Sequence, residues 1–211
     1  MRYVPISCVR QGLILGEDLY NDIGELLLAQ GSVLTSKNIQ SITRLKYTGI
    51  YIDDEISKGI TVESIVSERV RAKTLKQIKD IFIDYEQGGQ NLNNNLDAIK
   101  LLIENIVDEI YSNQDLLVNL VDLQAYDDYT YNHCVSVAIL SIALGVALAM
   151  SKQELYDLGF AALLHDIGKV FIDKNIVNKP STLTADEFEQ MKNHSLFGFE
   201  HIRNDYLVSN E

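Results

Sequence analysis

The sequence predicts an α+β protein, with a small N-terminal α+β domain followed by a mainly α-helical region. Three observations predict this class. Short alternating apolar runs, separated by turn residues, fill positions 1–56. From Leu96 onward, apolar residues recur at three- and four-residue spacings, the period of a helix with one buried face. And 46% of the 211 residues are hydrophobic, enough for a substantial core and too many for a generally disordered chain.

Taken in order, positions 14–35 read as two strands joined at Asn21-Asp22-Ile23-Gly24, with a further turn at Gln30-Gly31. Ser36 to Tyr47 makes a short helix that leads through Gly49 into the strand Ile50-Tyr51-Ile52-Asp53-Asp54. Residues 1–56 thus form a small regulatory or dimerising domain. Residues 57–95 are a linking helix and loop, the loop being the Gly- and Asn-rich stretch 88–95. The helical domain takes 96–211. It opens with Ile99, Ile103, Ile106 and Ile110 on one face. Two capping boxes mark later helix starts, Ser151 with Glu154 and Thr184 with Glu187, the second preceded by Pro180. The most apolar stretch, Val135 to Met150, is shorter than the about 20 residues of a membrane span. It reads as a buried helix.

Charge narrows the function. With 18 Lys and Arg against 30 Asp and Glu the net charge is -12. Such a surface lacks the phosphate-neutralising patch that a DNA or RNA polymer requires. Between Leu101 and Ser151 there is no Lys or Arg, while Glu104, Asp108, Glu109, Asp115, Asp122, Asp127 and Asp128 fall in the same window. That window is either a solvated acidic face or a local field suited to bound cations. Cys8 and Cys134 stand far apart in no metal-like spacing, which fits a reducing, cytoplasmic setting. The N-terminus has no long apolar run of the signal-peptide kind.

All four histidines, His133, His165, His194 and His201, follow Thr130. His165 and Asp166 are adjacent at the end of the apolar run Gly159–Leu164, just before Ile167-Gly168-Lys169. If the helix end bends there, an imidazole nitrogen and a carboxylate oxygen can address the same cation. Nitrogen and oxygen donors together suit Fe, Mn, Zn or Mg rather than a thiophilic ion. Taken alone, the pair is equally an ordinary helix-end His and Asp. His133 enters the apolar helix in a direction that burial would hold. His194 lies nearly three turns into the Thr184-capped helix, and His201 two turns beyond it could share its face. Lys169 is a natural mobile cation beside such a centre, or else an exposed lysine.

Together, residues 128–211 resemble the HD superfamily of metal-dependent phosphohydrolases, and within it the HD-GYP branch of bacterial cyclic di-GMP phosphodiesterases. The resemblance rests on Asp128-Tyr129-Thr130-Tyr131-Asn132-His133 and on the nearly continuous stretch from Leu163 to His194. It implies an all-α bundle holding a two- or three-metal centre. His133, His165, Asp166 and His194 would be metal ligands, with Asp166 bridging; Asp166 and Lys169 would carry the chemistry, and Asn178-Lys179-Pro180 is the branch's loop. Tyr129 stands where trinuclear members have a glutamate, which implies a binuclear centre of Fe or Mn, with Mg or Zn as alternatives. Asp127 or Asp128 is a candidate to orient an imidazole. The segment 19–35 resembles, more loosely, a small domain found ahead of this module in bacterial regulatory proteins.

The branch continues after His194 with a helix bearing a His-His pair, then a Gly-Tyr-Pro loop. Neither occurs here, and the prolines are Pro5 and Pro180. The expectation is therefore a fragment of a cyclic di-GMP phosphodiesterase, weak or inactive by itself, metal-depleted, and prone to homo-oligomerise or domain-swap through uncovered apolar surface. Two other readings stay open. One is a non-enzymatic regulatory or dimerising HD-like module, and the other is an HD phosphohydrolase acting on nucleotide monoesters.

Overall fold

The computed structural model describes residues 1–21, 25–45, 47–61, 64–88, 92–113 and 129–206. The N-terminal region is built on a three-stranded antiparallel sheet. Its central strand β5 (Gly49–Asp53) pairs with β1 (Arg2–Pro5) on one side and β2 (Ile14–Leu15) on the other. Tyr3 faces Tyr51 and Leu15 faces Ile52 in register. A separate hairpin joins β3 (Leu19–Tyr20) to β4 (Leu26–Leu28), as the alternation predicts, with an irregularity between Leu19 and Tyr20. The turn residues 22–24 lie outside the described residues. The second turn is seen at Gly31, whose φ of 81° favours glycine.

Helix α1 (Ser36–Arg44) starts one residue after Thr35, which exchanges capping hydrogen bonds with Asn38. It lays Ile42 into a core made with Val4, Leu15, Leu19, Leu34, Ile50 and Ile52. This cluster is separate from the helical one.

Helix α2 (Glu68–Glu86) is capped by Ser67, so the linking helix, expected from about residue 60, starts later, and the described residues 60, 61 and 64–67 are not helical. Its Leu75, Ile78, Ile81 and Phe82 join the helical core, and its first turns approach β3. Helix α3 (Leu92–Ser112) begins inside the stretch 88–95 that composition assigns to a loop. Asn propensity is a weak local preference, and packing of the following apolar face overrides it. Ile99, Ile103, Ile106 and Ile110 are all buried, as their spacing predicts.

Helix α4 (Tyr129–Ala147) packs along α5 (Lys152–Leu164), burying Cys134, Val135, Ala138, Ile139 and Ile142. By length and composition its segment Thr130–Ala147 could cross a membrane, and 33% of that segment is buried inside the protein. The apolar stretch is thus only partly the buried helix expected of it: Leu144 and Leu148 remain mostly exposed. After α5 the chain bends into a 3₁₀ segment (Ile167–Phe171), a one-turn helix α6 (Lys174–Val177) and the long α7 (Ala185–Tyr206).

Both predicted capping boxes form. Ser151 and Glu154 cap each other's free groups, and Glu187 accepts from the Thr184 amide while Thr184 Oγ1 accepts from the Glu187 amide.

Candidate metal centre

The site is assembled where three elements meet: the first turns of α4, the bend after α5, and the middle of α7. His165 is the C-cap of α5, with helical dihedrals, and Asp166 leaves the helix at φ -104° and ψ 5°. This is the bend that lets two adjacent side chains address one point. His133 reaches the same point from α4. His165 Nε2 lies 3.3 Å from His133 Nε2 and 3.3 Å from Asp166 Oδ2, and His133 Nε2 is 3.9 Å from Asp166 Oδ2. These three residues offer donor atoms within 4.8 Å of one another. His194 approaches from the opposite side, its Nε2 3.5 Å from Asp166 Oδ1, with Ser195 Oγ 3.4 Å from the same nitrogen.

The orientation of two imidazoles is set locally. Nδ1 of His165 lies 2.8 Å from the carbonyl oxygen of Ala162, and Nδ1 of His194 lies 2.7 Å from that of Met191. When Nδ1–H donates to the carbonyl, Nε2 carries the lone pair, the arrangement expected of metal-binding histidines. Asp166 is 3% exposed. Burial opposes its charge, but hydrogen bonds from His165 and Lys169 prevail and hold its carboxyl well below the usual carboxylate range. The Lys169 ammonium donates to Asp166 Oδ2 at 2.6 Å. Hydrogen bonding to Asp166 draws the His165 pKa up, whereas burial pushes that of His133 down. Burial also raises the Cys134 thiol, to about 12, so the thiol beside His133 is protonated at neutral pH.

Three imidazole nitrogens around a buried, ionised carboxylate fit a divalent cation of borderline hardness. Asp166 turns one oxygen to His194 and the other to His133 and His165, so the two could serve different cations.

What brings His194 here is a backbone contact. A methyl group on Gly168 would overlap the carbonyl oxygen of His194 and come within 2.6 Å of the Gly198 nitrogen. Only glycine at 168 allows α7 to lie so close to the 3₁₀ segment. Sequence reading picked out the ligand candidates and passed over Gly168 and Gly198, although a glycine four residues after a helical histidine is a visible sign of close packing.

Other candidates are placed elsewhere. His201 stacks on Phe171, ring centroids 3.8 Å apart and planes 20° off parallel, and its Nδ1 lies 2.8 Å from the Phe197 carbonyl oxygen. Lys179 pairs with Glu187, tying the Asn178–Pro180 loop to the start of α7. Of the acidic window, Asp108 pairs with Lys152 at 3.2 Å and Glu109 accepts from the Ser67 amide and hydroxyl at 2.6 and 2.8 Å. Asp115, Asp122, Asp127 and Asp128 lie outside the described residues. A separate cleft of about 300 Å³ between α3 and α5, lined by Lys100, Glu104, Tyr156, Asp157 and Phe160 among others, contains none of the site residues.

Residues 130–211 match the HD domain family. Over 93 residues the chain is 39% identical to a cyclic di-GMP phosphodiesterase of Pseudomonas aeruginosa, covering 44% of this chain and 22% of that protein. Over 104 residues it is 36% identical to a cyclic di-GMP phosphodiesterase of Thermotoga maritima, covering 46% of this chain and 28% of that one. It is also 34% identical over 89 residues to a 3'3'-cGAMP-specific phosphodiesterase of Vibrio cholerae, covering 42% of this chain and 20% of that protein. The chain thus spans under a third of the length of each of these relatives. No solved structure matches.

Proposed function

We propose that the chain, whose residues 130–211 match the HD domain family, is part of a bacterial metal-dependent phosphodiesterase whose substrate is a cyclic dinucleotide, cyclic di-GMP above all. The observation that carries the reading is the convergence of His133, His165 and His194 on the buried carboxylate of Asp166. These four residues are the proposed ligands of a binuclear centre, with Asp166 shared and Fe or Mn preferred. When bound, the cations would supply Lewis-acid polarisation of the scissile phosphodiester and a nucleophilic water.

The chain's own residues do the rest. The carbonyl oxygens of Ala162 and Met191 hold two imidazoles with Nε2 directed at the centre. Lys169, 20% exposed at its side chain, balances the Asp166 charge and can turn toward an anionic phosphate once cations take over that role. The cations and Lys169 together offset the repulsion between an acidic protein and an anionic substrate. We place the protein in the cytoplasm, acting on a small soluble nucleotide rather than on a membrane or nucleic-acid polymer.

The test separates binding from turnover. Manganese or ferrous iron is titrated into the 211-residue chain and into Asp166→Asn and His165→Ala variants, and bound metal is counted after desalting. Longer forms of the protein are then assayed for hydrolysis of cyclic di-GMP and 3'3'-cGAMP. The proposal expects metal bound by the wild type to drop at least about tenfold in each variant, and cyclic di-GMP turnover to vanish with it. Turnover that survives Asp166→Asn would refute the site, and a nucleotide monoester as the sole substrate would refute the reaction.

A further inference from the structure

Helix α7 carries a second face, turned away from the metal centre, that the proposed reaction leaves unused. Phe188, Leu196 and Phe199 are 54%, 53% and 57% exposed, an unusual load of apolar surface for one solvent-facing helix. With Lys192 and Arg203 they form one stripe, because steps of three and four residues return to the same side of a helix. Lys192 Nζ stands over the Phe188 ring at 5.0 Å, and the Arg203 guanidinium over the Phe199 ring at 5.8 Å. Two acids, Glu189 and Glu200, are exposed along the flank of the stripe, and Glu189 already holds Lys192 at 2.6 Å.

The order of these residues is self-complementary. If a second α7 is laid antiparallel with a two-fold axis beside Leu196, Phe188 of one copy comes opposite Arg203 of the other, and Lys192 comes opposite Phe199. The same register sets Glu189 beside Arg203 and Glu200 beside Lys192. Lys192 and Arg203 each meet an acid and an aromatic ring of the other copy, and the two Leu196 side chains meet at the axis. A parallel arrangement would place like charges against like. An anionic polymer or membrane would meet Glu189 and Glu200 as repelling neighbours, whereas a second copy turns both into partners.

We infer that this face of α7 is an isologous interface for a second copy of the chain, the two helices packing antiparallel about Leu196. The α7 helix of 22 residues is about 33 Å long. One such helix pair buries less than a standard protein interface, so the dimer is reversible and concentration-dependent rather than obligate.

Sedimentation velocity of the 211-residue chain over a range of concentrations tests this, with Lys192→Glu, Glu200→Lys and the combined charge swap. Both positions are exposed, so the variants keep the fold, and circular dichroism checks it. The wild type should show a monomer–dimer equilibrium. Each single substitution should weaken it about tenfold or more, by setting like charges face to face. The double variant, which restores opposite charges in reversed order, should return to within about threefold of wild type. Metal content stays at the wild-type level throughout, so failure here is distinct from failure of the metal centre. A chain that stays monomeric at every concentration would overturn the inference, as would a dimer indifferent to the single substitutions or a double variant no better than either one.

Discussion

Gly168 presses its backbone against the carbonyl oxygen of His194, close enough that a single methyl group on Gly168 would overlap that oxygen. The two residues are distant in sequence, and this contact is what seats the α7 histidine beside Asp166.

Gly168→Ala must therefore push α7 away from the 3₁₀ segment, because the obstacle is backbone and cannot rotate aside. The expected cost is about 1–3 kcal/mol of stability, together with a metal affinity lowered at least about tenfold if His194 is the ligand proposed above. Gly198→Ala is the control. Its methyl group would meet its nearest neighbours at 3.3 Å, so a small shift relieves it and both effects should be milder. Thermal melting and metal titration of the two variants decide the matter, and equal losses would contradict the asymmetry.

The N-terminal region has its own acid-sensitive tie. Arg2 donates from Nε and Nη2 to Asp54 Oδ2 at 3.0 and 2.9 Å, and the Ser57 amide donates to Oδ1 at 3.0 Å. The Arg2 hydrogen bonds are the main cause that holds the Asp54 pKa at about 2. A folded value below the unfolded one stabilises the protein above the ordinary range near 3.8. That contribution fades as pH falls from there through about 2. Carboxyl chemical shifts should report the depressed pKa directly, and Arg2→Ala should return it toward the ordinary value.

The two cysteines should separate cleanly in reactivity. Cys8 is exposed; Cys134 is fully buried, with burial as the main cause of its raised pKa of about 12. At pH 8 a maleimide should label Cys8 in the folded protein and reach Cys134 only after denaturation. Peptide mass analysis distinguishes the sites. Labelling of both in the folded state would mean that the α4–α5 packing opens readily.

Much of the secondary structure was legible because its causes are local. Ser151 and Glu154, or Thr184 and Glu187, sit three residues apart and find each other in any chain that starts a helix there. The apolar face of α3 followed from the period of Ile99, Ile103, Ile106 and Ile110. The weaker readings rested on composition. The asparagines at 93–95 suggested a loop where α3 had already begun. The acidic window left a solvated face and a cation field both open, and Asp108 and Glu109, the members with described partners, bind Lys152 and accept from Ser67 at the start of α2. A charge count does not say which groups are already engaged.

By itself, then, the sequence determined the α+β class of the protein and the two helix starts written as capping boxes, and it singled out His133, His165, Asp166 and His194 as candidates. Only the tertiary structure decided which histidines face Asp166. His194 and His201 lie two turns apart on one helix, and sequence spacing allowed both on the same face. One faces Asp166 and the other stacks on Phe171, because contact between α7 and the 3₁₀ segment runs residue by residue along both. That separation depends on two backbones meeting at Gly168 and Gly198. Hydrogen bonds to near neighbours set the direction of a helix. How closely it approaches another segment depends on the volume of side chains far away in sequence.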